Sequence, residues 1–306
     1  MRLVFAGSSA FALAPLRALA ASDHSVLAVV TAPDRAGDRG RLAPRPVRDL
    51  GRQLGLPVLQ PTRLGRVDLE PQLEAGAELL VVCAYGQLIP GSILDAFPRG
   101  AVGVHPSLLP RHRGAAPVAA AILSGDRETG VSIFRVERRL DAGPVLAARA
   151  VPLPSTATTP EVEAELAELG ASLLVEVLGQ MEGGRLELRA QDESRVTYAA
   201  KLRRTDGHLP WSIPAEEVDR RLRALRPWPG VTVVLAGTEV KLLRGGAVAA
   251  AGRAMPGGEL GWDGEALLMG TGAGTFRVEL VQPPGGRPMT PAAFIRGRRR
   301  ADQVMP

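Results

Sequence analysis

The chain is poor in cysteine, histidine and aromatic residues. Its 306 residues include one cysteine and four histidines, and aromatic residues make up 4% of the sequence. A single cysteine excludes an intramolecular disulfide. Because Cys83 stands inside the apolar run LLVVCAYG, we expect a small buried hydrophobe there rather than a nucleophile. The scattered histidines show no spacing typical of a metal site, so no metal is predicted.

Several signals of other protein classes are also missing. No stretch reaches the roughly 18 apolar residues that a membrane-spanning helix needs, and the N-terminal segment lacks the pattern of a secretory signal. We therefore expect a cytoplasmic protein with no membrane partner. The first turn, AGSSAFA, contains no G-x-G-x-x-G, which disfavours a nicotinamide-dependent oxidoreductase. No G-x-S-x-G occurs either, so no nucleophile elbow is predicted.

The charge of the chain is uneven. The formal net charge is +5, which permits a polyanionic partner without requiring one. Two short runs carry much of the positive charge, DRAGDRGRLAPRPVR at Asp34–Arg48 and FIRGRRRAD at Phe294–Asp302. Each run fits either a phosphate-contacting surface or a solvated charged segment, and composition alone does not separate the two.

The first half of the chain alternates short apolar runs with helical patterns. This alternation predicts an α/β domain built on a mostly parallel sheet. The polar, mixed stretch that follows resembles an extended linker, and the last third consists of short apolar runs separated by glycines, which favours a small β-barrel. The clearest amphipathic helix is predicted at 159–181, and the strongest strands at 2–7, 24–32, 77–86 and 100–105. We expect a domain at 1–185, a linker at 186–208 and a β-rich domain at 209–306.

Two residues are candidates for acid–base chemistry. In an open α/β sheet, ligands bind beyond the carboxyl ends of the strands, and His105 comes directly after the strand-like AVGV. Asp141 lies in the Asp-Ala-Gly turn of RRLDAGPVL, between two predicted strands. A carboxylate beside an imidazole orients the ring as a general acid or base requires. The spacing alone does not bring the two residues together, and LDAG can equally be a plain turn.

Several motifs, taken together, resemble the methionyl-tRNA formyltransferase family. They are VHPSLLPRHRGAAP, LDAG, VVCAYGQLIP, the opening VFAGSSAFA, the loop TAPDRAGDRGR and QDESRVTYAAKL. HPSLLP and LDAG alone would specify only the wider group of enzymes that use 10-formyltetrahydrofolate. DESRVTYAAKL and RPWPG narrow the resemblance to the initiator-tRNA enzymes, and the similarity extends over nearly the whole chain.

The resemblance implies a fold and a reaction. The fold is a Rossmann-like formyltransferase domain with a mostly parallel sheet, followed by a C-terminal OB-like β-barrel that binds tRNA. The reaction moves a formyl group from the cosubstrate 10-formyltetrahydrofolate to the α-amino group of methionyl initiator tRNA. These two substrates are the expected partners, and a monomer is expected.

The resemblance also implies roles for individual residues. His105 and Asp141 match the family's catalytic pair. The walls of the folate pocket match two segments, represented by Ser107, Leu108, Leu109 and Pro110 on one side and by Tyr85, Gly86, Leu88 and Ile89 on the other. The basic loop matches an insertion that reaches the acceptor stem, where Arg35, Arg39, Arg41 and Arg45 would contact tRNA phosphates.

The chain departs from the family pattern at two points. The third catalytic member of the family is an asparagine two residues before the histidine, and that position is Gly103 in this sequence. Glycine has no side-chain donor, and loss of one oxyanion donor typically costs roughly 10²–10³ in rate. The opening turn also reads GSSAFA where the family usually has GTPDFA. We therefore predict a formyltransferase with a modified oxyanion arrangement.

Two alternatives remain open at this point. In the first, Gly103 is a lesion and the chain is a weakened or silent paralogue that binds tRNA or folate. In the second, the enzyme formylates another amine, such as an amino sugar or glycinamide ribonucleotide. Those acceptors need neither the basic loop nor the 205–306 region, which argues against the second alternative.

Overall fold

A computed structural model of the chain describes residues 1–34, 45–248, 255 and 257–302, with side chains described up to residue 298. The chain forms two compact units. The first comprises Met1–Val118, Arg127–Leu153 and Glu161–Ala200, and the second comprises Ala119–Asp126, Pro154–Pro160 and Lys201–Pro306.

The first two-thirds of the chain alternate strands with helices, as the sequence predicts. In chain order the elements are β1 (Arg2–Gly7), α1 (Leu13–Ala20), β2 (Ser25–Val30), α2 (Pro46–Gln53), β3 (Val58–Leu59), α3 (Glu70–Glu74), β4 (Leu79–Cys83), α4 (Gly91–Leu94), β5 (Ala101–His105), β6 (Arg113–Gly114), α5 (Pro117–Ser124), β7 (Glu128–Arg135), β8 (Val145–Pro152), α6 (Thr159–Glu182) and β9 (Tyr198–Ala199).

The first unit is built on a seven-stranded sheet with the order β3-β2-β1-β4-β5-β7-β8. The first five strands in this order, from β3 at the edge to β5, run parallel to one another. Strand β7 is antiparallel to β5, and β8 is antiparallel to β7. The strands of the parallel part are short and apolar, as expected for a sheet buried on both faces. These observations confirm the predicted mostly parallel, Rossmann-like sheet.

The chain order reverses at β1, which lies between β2 and β4. In sheets of this kind, ligands bind beyond the carboxyl ends of the strands at such a switch point. The register pairs Gly7 with Cys83 and Cys83 with Val104. The residues that follow these three, Ser8, Ala84 and His105, therefore emerge side by side at one edge of the sheet.

Strand β4 is shorter than the predicted 77–86. Ala84 has a φ of 46° and Gly86 a φ of 81°, and both angles are incompatible with an extended strand. The chain therefore leaves the sheet after Cys83 and forms a loop at the carboxyl edge. The amphipathic helix predicted at 159–181 is present as α6, which ends one residue later.

The last third of the chain forms α7 (Ala215–Ala224), β10 (Val231–Leu235), β11 (Thr238–Val248), β12 (Leu260–Asp263), β13 (Ala266–Gly270), β14 (Thr275–Gln282) and α8 (Pro291–Asp302). In the second unit, the strands form a five-stranded antiparallel sheet with the order β10-β11-β14-β13-β12, which confirms the predicted C-terminal β domain. Its apolar interior includes Val218, Leu267 and Phe276. Among the helices that the structure describes, none is long and apolar enough to span a membrane.

Candidate active site

His105 is the last residue of β5 and is buried, with 6% of its surface exposed. Its Nε2 lies 2.9 Å from the backbone carbonyl oxygen of His112. Because a carbonyl oxygen only accepts hydrogen bonds, Nε2 carries the hydrogen and donates. The other ring nitrogen, Nδ1, faces Asp141 Oδ2 at 3.7 Å. In the neutral ring, Nδ1 is therefore the nitrogen that is free to take up a proton.

Asp141 lies in the turn between β7 and β8, with a φ of 49°. Its Oδ2 accepts a hydrogen bond of 2.8 Å from the backbone N–H of Gly114. This bond holds the carboxylate on the side of the imidazole opposite the His112 carbonyl. The fold thus brings together the two residues that the sequence offered for acid–base chemistry.

The backbone around this pair is strained. Among the described residues, four that are not glycine have positive φ angles, and three of them are Ala84, His112 and Asp141. Such conformations cost about 1–3 kcal/mol each and persist only where the surrounding structure imposes them. Their concentration at the carboxyl edge of the sheet is typical of a functional site.

Gly103 lies two residues before His105, on the same face of β5, and pairs across the sheet with Phe134 of β7. A Cβ atom at position 103 would overlap the Phe134 ring. That ring also meets the His105 imidazole edge to face, with centroids 6.2 Å apart and an interplanar angle of 82°. Phe134 therefore occupies the space above Gly103 without supplying a hydrogen-bond donor.

The segment from Ser107 to Pro110 forms a loop tied down by hydroxyl groups. Ser107 is fully buried, and its Oγ donates to the Arg111 carbonyl at 2.6 Å. Ser132 Oγ donates to the Ser107 carbonyl at 2.7 Å and accepts from the Leu109 N–H at 3.1 Å. The Ser107 hydroxyl thus shapes the loop, while Leu108, Leu109 and Pro110 remain partly exposed.

The loop after β4 separates into buried and exposed parts. The Tyr85 side chain is buried in the core beside residues such as Ile93 and Phe97, and this burial raises the pKa of its phenol. Only the Tyr85 carbonyl takes part at the edge, where Ser8 Oγ donates to it at 2.9 Å. Ile89 packs against the same core, whereas Leu88 is 79% exposed and Gly86 is exposed.

The basic loop lies mostly outside the described residues. Arg35, Arg39 and Arg41 fall in that part, and the structure places only Arg45. The Arg45 side chain is 16% exposed, and its Nε faces Asp34 Oδ1 at 3.8 Å. In the second basic run, Arg296 of α8 lies 3.5 Å from Glu265 Oε1.

Cys83 is fully buried, and desolvation raises the pKa of its thiol far above the ordinary value. This confirms the expected small hydrophobe. In the described portion of the chain, no group of three or more His, Cys, Asp or Glu side chains is arranged to hold a metal ion.

Three residues of the site were not recognised from the sequence. His112 is not among the residues chosen from the sequence, yet it is 5% exposed and its backbone carbonyl accepts a hydrogen bond from the His105 ring. Phe134 carried no signal beyond an apolar position in a strand. Gln191 lies in the polar stretch that the sequence predicts to be a linker, yet its side chain donates to the carbonyls of Asp141 and Gly143.

Comparisons with known proteins agree with this architecture. Residues 1–178 match the formyl transferase family, and residues 201–299 match the formyl transferase C-terminal domain. A methionyl-tRNA formyltransferase from Heliobacterium modesticaldum is 42% identical over 308 residues, covering 98% of each chain. One from Methylococcus capsulatus is 43% identical over 297 residues, covering 96% of each. An N-formyltransferase structure from Helicobacter canadensis, with folinic acid and dTDP-3-aminofucose, has a TM-score of 0.68 at 14% identity, covering 90% of this chain and 97% of that one, and shows the same fold.

Proposed function

Because this chain belongs to the methionyl-tRNA formyltransferase family, we propose that it transfers the formyl group of 10-formyltetrahydrofolate to the α-amino group of methionyl initiator tRNA. The observation that carries the proposal is the buried pair formed by His105 and Asp141 at the carboxyl end of β5. Family membership supplies the substrates, and this pair supplies the acid–base groups that the transfer needs.

The amine must lose a proton as its nitrogen attacks the formyl carbon. His105 Nδ1 has no hydrogen in the neutral ring, because Nε2 is the donor to the His112 carbonyl. Nδ1 is therefore the site that accepts the proton, directly or through Asp141. The imidazolium formed in this way would face the Asp141 carboxylate, whose negative charge stabilises it.

Negative charge develops on the formyl oxygen at the same time and needs a donor. The side chain at position 103 supplies none, and neither does Phe134. During the attack we assign this role to a backbone N–H or water, and once Nδ1 has taken up the amine proton its N–H can donate as well. The tetrahedral intermediate then collapses: the bond between the formyl carbon and N10 breaks, and tetrahydrofolate leaves with the proton that His105 returns to N10. The intact His105–Asp141 pair also disfavours the silent-paralogue alternative.

The two loops at the sheet edge fit the formyl donor. A folate presents a flat ring system with hydrogen-bonding edges, which calls for apolar walls beside exposed backbone groups. Leu88 and the Leu108–Pro110 segment offer apolar surface, and Ala84 and Gly86 are exposed at the same edge. Ser107 and Tyr85 would act indirectly, by shaping the two loops. Ile89 would support its loop from the core side.

The acceptor tRNA calls for positive charge outside the reaction centre. We assign the acceptor stem to the basic loop with Arg35, Arg39 and Arg41, and further phosphate contacts to the C-terminal domain at 209–306. Arg45, whose side chain is 16% exposed and faces Asp34, would support the base of this loop. The catalytic domain then comprises 1–185, joined through 186–208. We further propose that the protein acts in the cytoplasm as a monomer, without a membrane partner.

The direct test is transfer of a labelled formyl group from 10-formyltetrahydrofolate to charged initiator tRNA. Formylmethionyl-tRNA should form, whereas uncharged tRNA, an amino-sugar nucleotide and glycinamide ribonucleotide should not be labelled. Folate binding without transfer would favour a silent paralogue instead. Labelling of one of the small amines would favour the second alternative.

A further inference from the structure

The segment that follows α6 forms hydrogen bonds to the residues around His105 and Asp141. Gln191 Nε2 donates to the carbonyl oxygens of Asp141 at 2.8 Å and Gly143 at 2.7 Å. Its Oε1 accepts from Arg113 Nε at 3.0 Å and from Arg113 Nη2 at 2.8 Å. Both N–H groups and both lone pairs of this amide are thus used within one partly buried cluster.

The two sides of this amide reach the two partners of His105. On one side is the Asp141 turn, which has a left-handed backbone and carries the carboxylate that faces Nδ1. On the other side is Arg113, which follows His112 in the chain. The His112 carbonyl accepts the hydrogen bond from His105 Nε2. The Arg113 side chain is 1% exposed, so this bridge runs through the interior of the unit.

The same segment holds the His112 loop through a second set of bonds. Thr197 Oγ1 accepts from the His112 N–H at 2.8 Å, and the Thr197 carbonyl accepts from the Arg113 N–H at 2.9 Å. Strand β9 then continues this pairing by lying parallel to β6. The geometry therefore ties residues 191–199 to both loops that flank the imidazole.

We infer that Gln191 is a positioning residue for the transfer reaction, setting the distance between the Asp141 carboxylate and the His105 ring. The expected effect on the transfer rate rests on the proposed function. The expected effect on the position of the His105 ring does not. Gln191 bonds to the backbone of the Asp141 turn and to Arg113, and it acts on the imidazole through these groups.

The substitution Gln191→Glu isolates this role. A carboxylate keeps the size of the side chain and strengthens its bond to the Arg113 guanidinium. Its oxygens cannot donate, however, and they would face the carbonyl oxygens of Asp141 and Gly143. The matched control is Glu193→Gln, which removes the negative charge that lies 2.9 Å from Arg113 Nη2 and leaves the Gln191 amide in place.

The first measurement follows the histidine side chains and needs no substrate. The chain has four histidines, so ¹⁵N-histidine labelling gives a small set of imidazole signals, and His105→Gln identifies those of His105. In Gln191→Glu, the imidazole nitrogen shifts of His105 should change, while those of His24 and His208 should not. Glu193→Gln should leave all of these signals in place.

The second measurement is formyl transfer. In Gln191→Glu, kcat should fall by about ten- to a hundredfold with little change in the KM for the formyl donor, since catalytic groups displaced by about 1 Å can lose this much. The pH profile of kcat should also move, because the new carboxylate would lie against the Asp141 turn. If Gln191→Glu does not fold, Gln191→Met removes the same bonds without introducing a charge.

The outcomes separate the two proposals. Unchanged His105 signals in a folded Gln191 variant would overturn the positioning role and leave a structural support only. Altered His105 signals with an unchanged kcat and pH profile would also overturn it. Altered signals in a protein whose wild type formylates no methionyl-tRNA would refute the proposed function while retaining the link between Gln191 and His105.

Discussion

The two units of the protein differ in what they bury. In the first unit, the loops and strands around β5 bury His105, Ser107, His112, Arg113 and Ser132. In the described part of the second unit, the buried polar residues are Thr159 and Thr271, and the sheet encloses an apolar core. A buried polar group lowers the stability of the fold unless it is hydrogen-bonded, and the hydrogen bonds that satisfy it fix its position.

This difference indicates a division of work. A polar interior that holds an imidazole between a carbonyl and a carboxylate suits bond-making chemistry. An apolar interior stabilises a fold and leaves the surface to contact a partner. We therefore expect substitutions in the first unit to change the rate of transfer, and substitutions on the surface of the second unit to change the affinity for tRNA.

The largest effect is expected from His105→Ala, which removes the group that takes the proton. Acid–base groups typically contribute about 10²–10⁴ in rate, so kcat should fall within that range. The matched control is His208→Ala, which changes a partly exposed histidine of the second unit and should leave kcat unchanged. Initial rates at saturating substrates measure kcat for both variants. Comparable losses of kcat in both would contradict the assignment of the chemistry to the first unit.

The next effect concerns the cross-strand pair of Gly103 and Phe134. Gly103→Asn inserts a side chain into space that the Phe134 ring occupies, and overpacking of this kind costs about 1–3 kcal/mol. We expect lower stability and no gain in activity. A more flexible side chain at position 134 makes room for the asparagine. The double variant Gly103→Asn with Phe134→Met should therefore regain part of the stability that Gly103→Asn loses.

Denaturant unfolding and the transfer assay on the two single variants and the double variant measure this coupling. Strictly additive losses would mean that the ring does not restrict position 103. A gain in activity from Gly103→Asn alone would show that the ring moves aside at little cost.

A smaller effect is expected in the second unit. Replacing Arg296 and Arg298 of α8 by alanine should leave kcat unchanged and weaken tRNA binding. If both contact phosphates, the slope of log affinity against log salt should decrease by about 0.7–0.9 for each lost contact. Arg63→Ala, an exposed arginine of the first unit, is the control. An unchanged slope would make α8 a solvated charged helix.

The smallest effect is a pH dependence of stability. Hydrogen bonds from Arg113 and Arg139 lower the pKa of Glu193 below its ordinary value of 4.5. Because the folded state favours the charged form, the contribution is present above that value and lost as pH falls through the folded-state pKa. Glu193→Gln should therefore lower the thermal midpoint slightly at pH 7. The difference in thermal midpoint between the wild type and Glu193→Gln should vanish in acid. A difference that grows in acid would contradict the lowered pKa of Glu193.

Much of the fold could be predicted because its signals are local. The apolar runs of β1, β4 and β5 and the amphipathic pattern of α6 are properties of short windows, and each appears where expected, within a few residues. The errors have local causes too. Strand β4 ends early because Ala84 adopts a positive φ, which the apolar composition of the run did not reveal.

The site was predicted only in part. His105 and Asp141 stand in motifs, so each could be chosen from its own neighbourhood. Arg45 and His112 belong to arginine-containing loops, yet the structure buries most of the first and nearly all of the second. A loop composition does not show which of its side chains turn inward.

The sequence by itself determined the family, the two-part α/β and β architecture and the two residues offered for acid–base chemistry, because strand periods and motifs are written in contiguous residues. Only the tertiary structure decided what holds those residues. Gln191 lies 50 positions from Asp141 and 78 from Arg113, and Phe134 reaches Gly103 from another strand. Contacts over such separations depend on how the elements pack, and no short stretch of sequence encodes them.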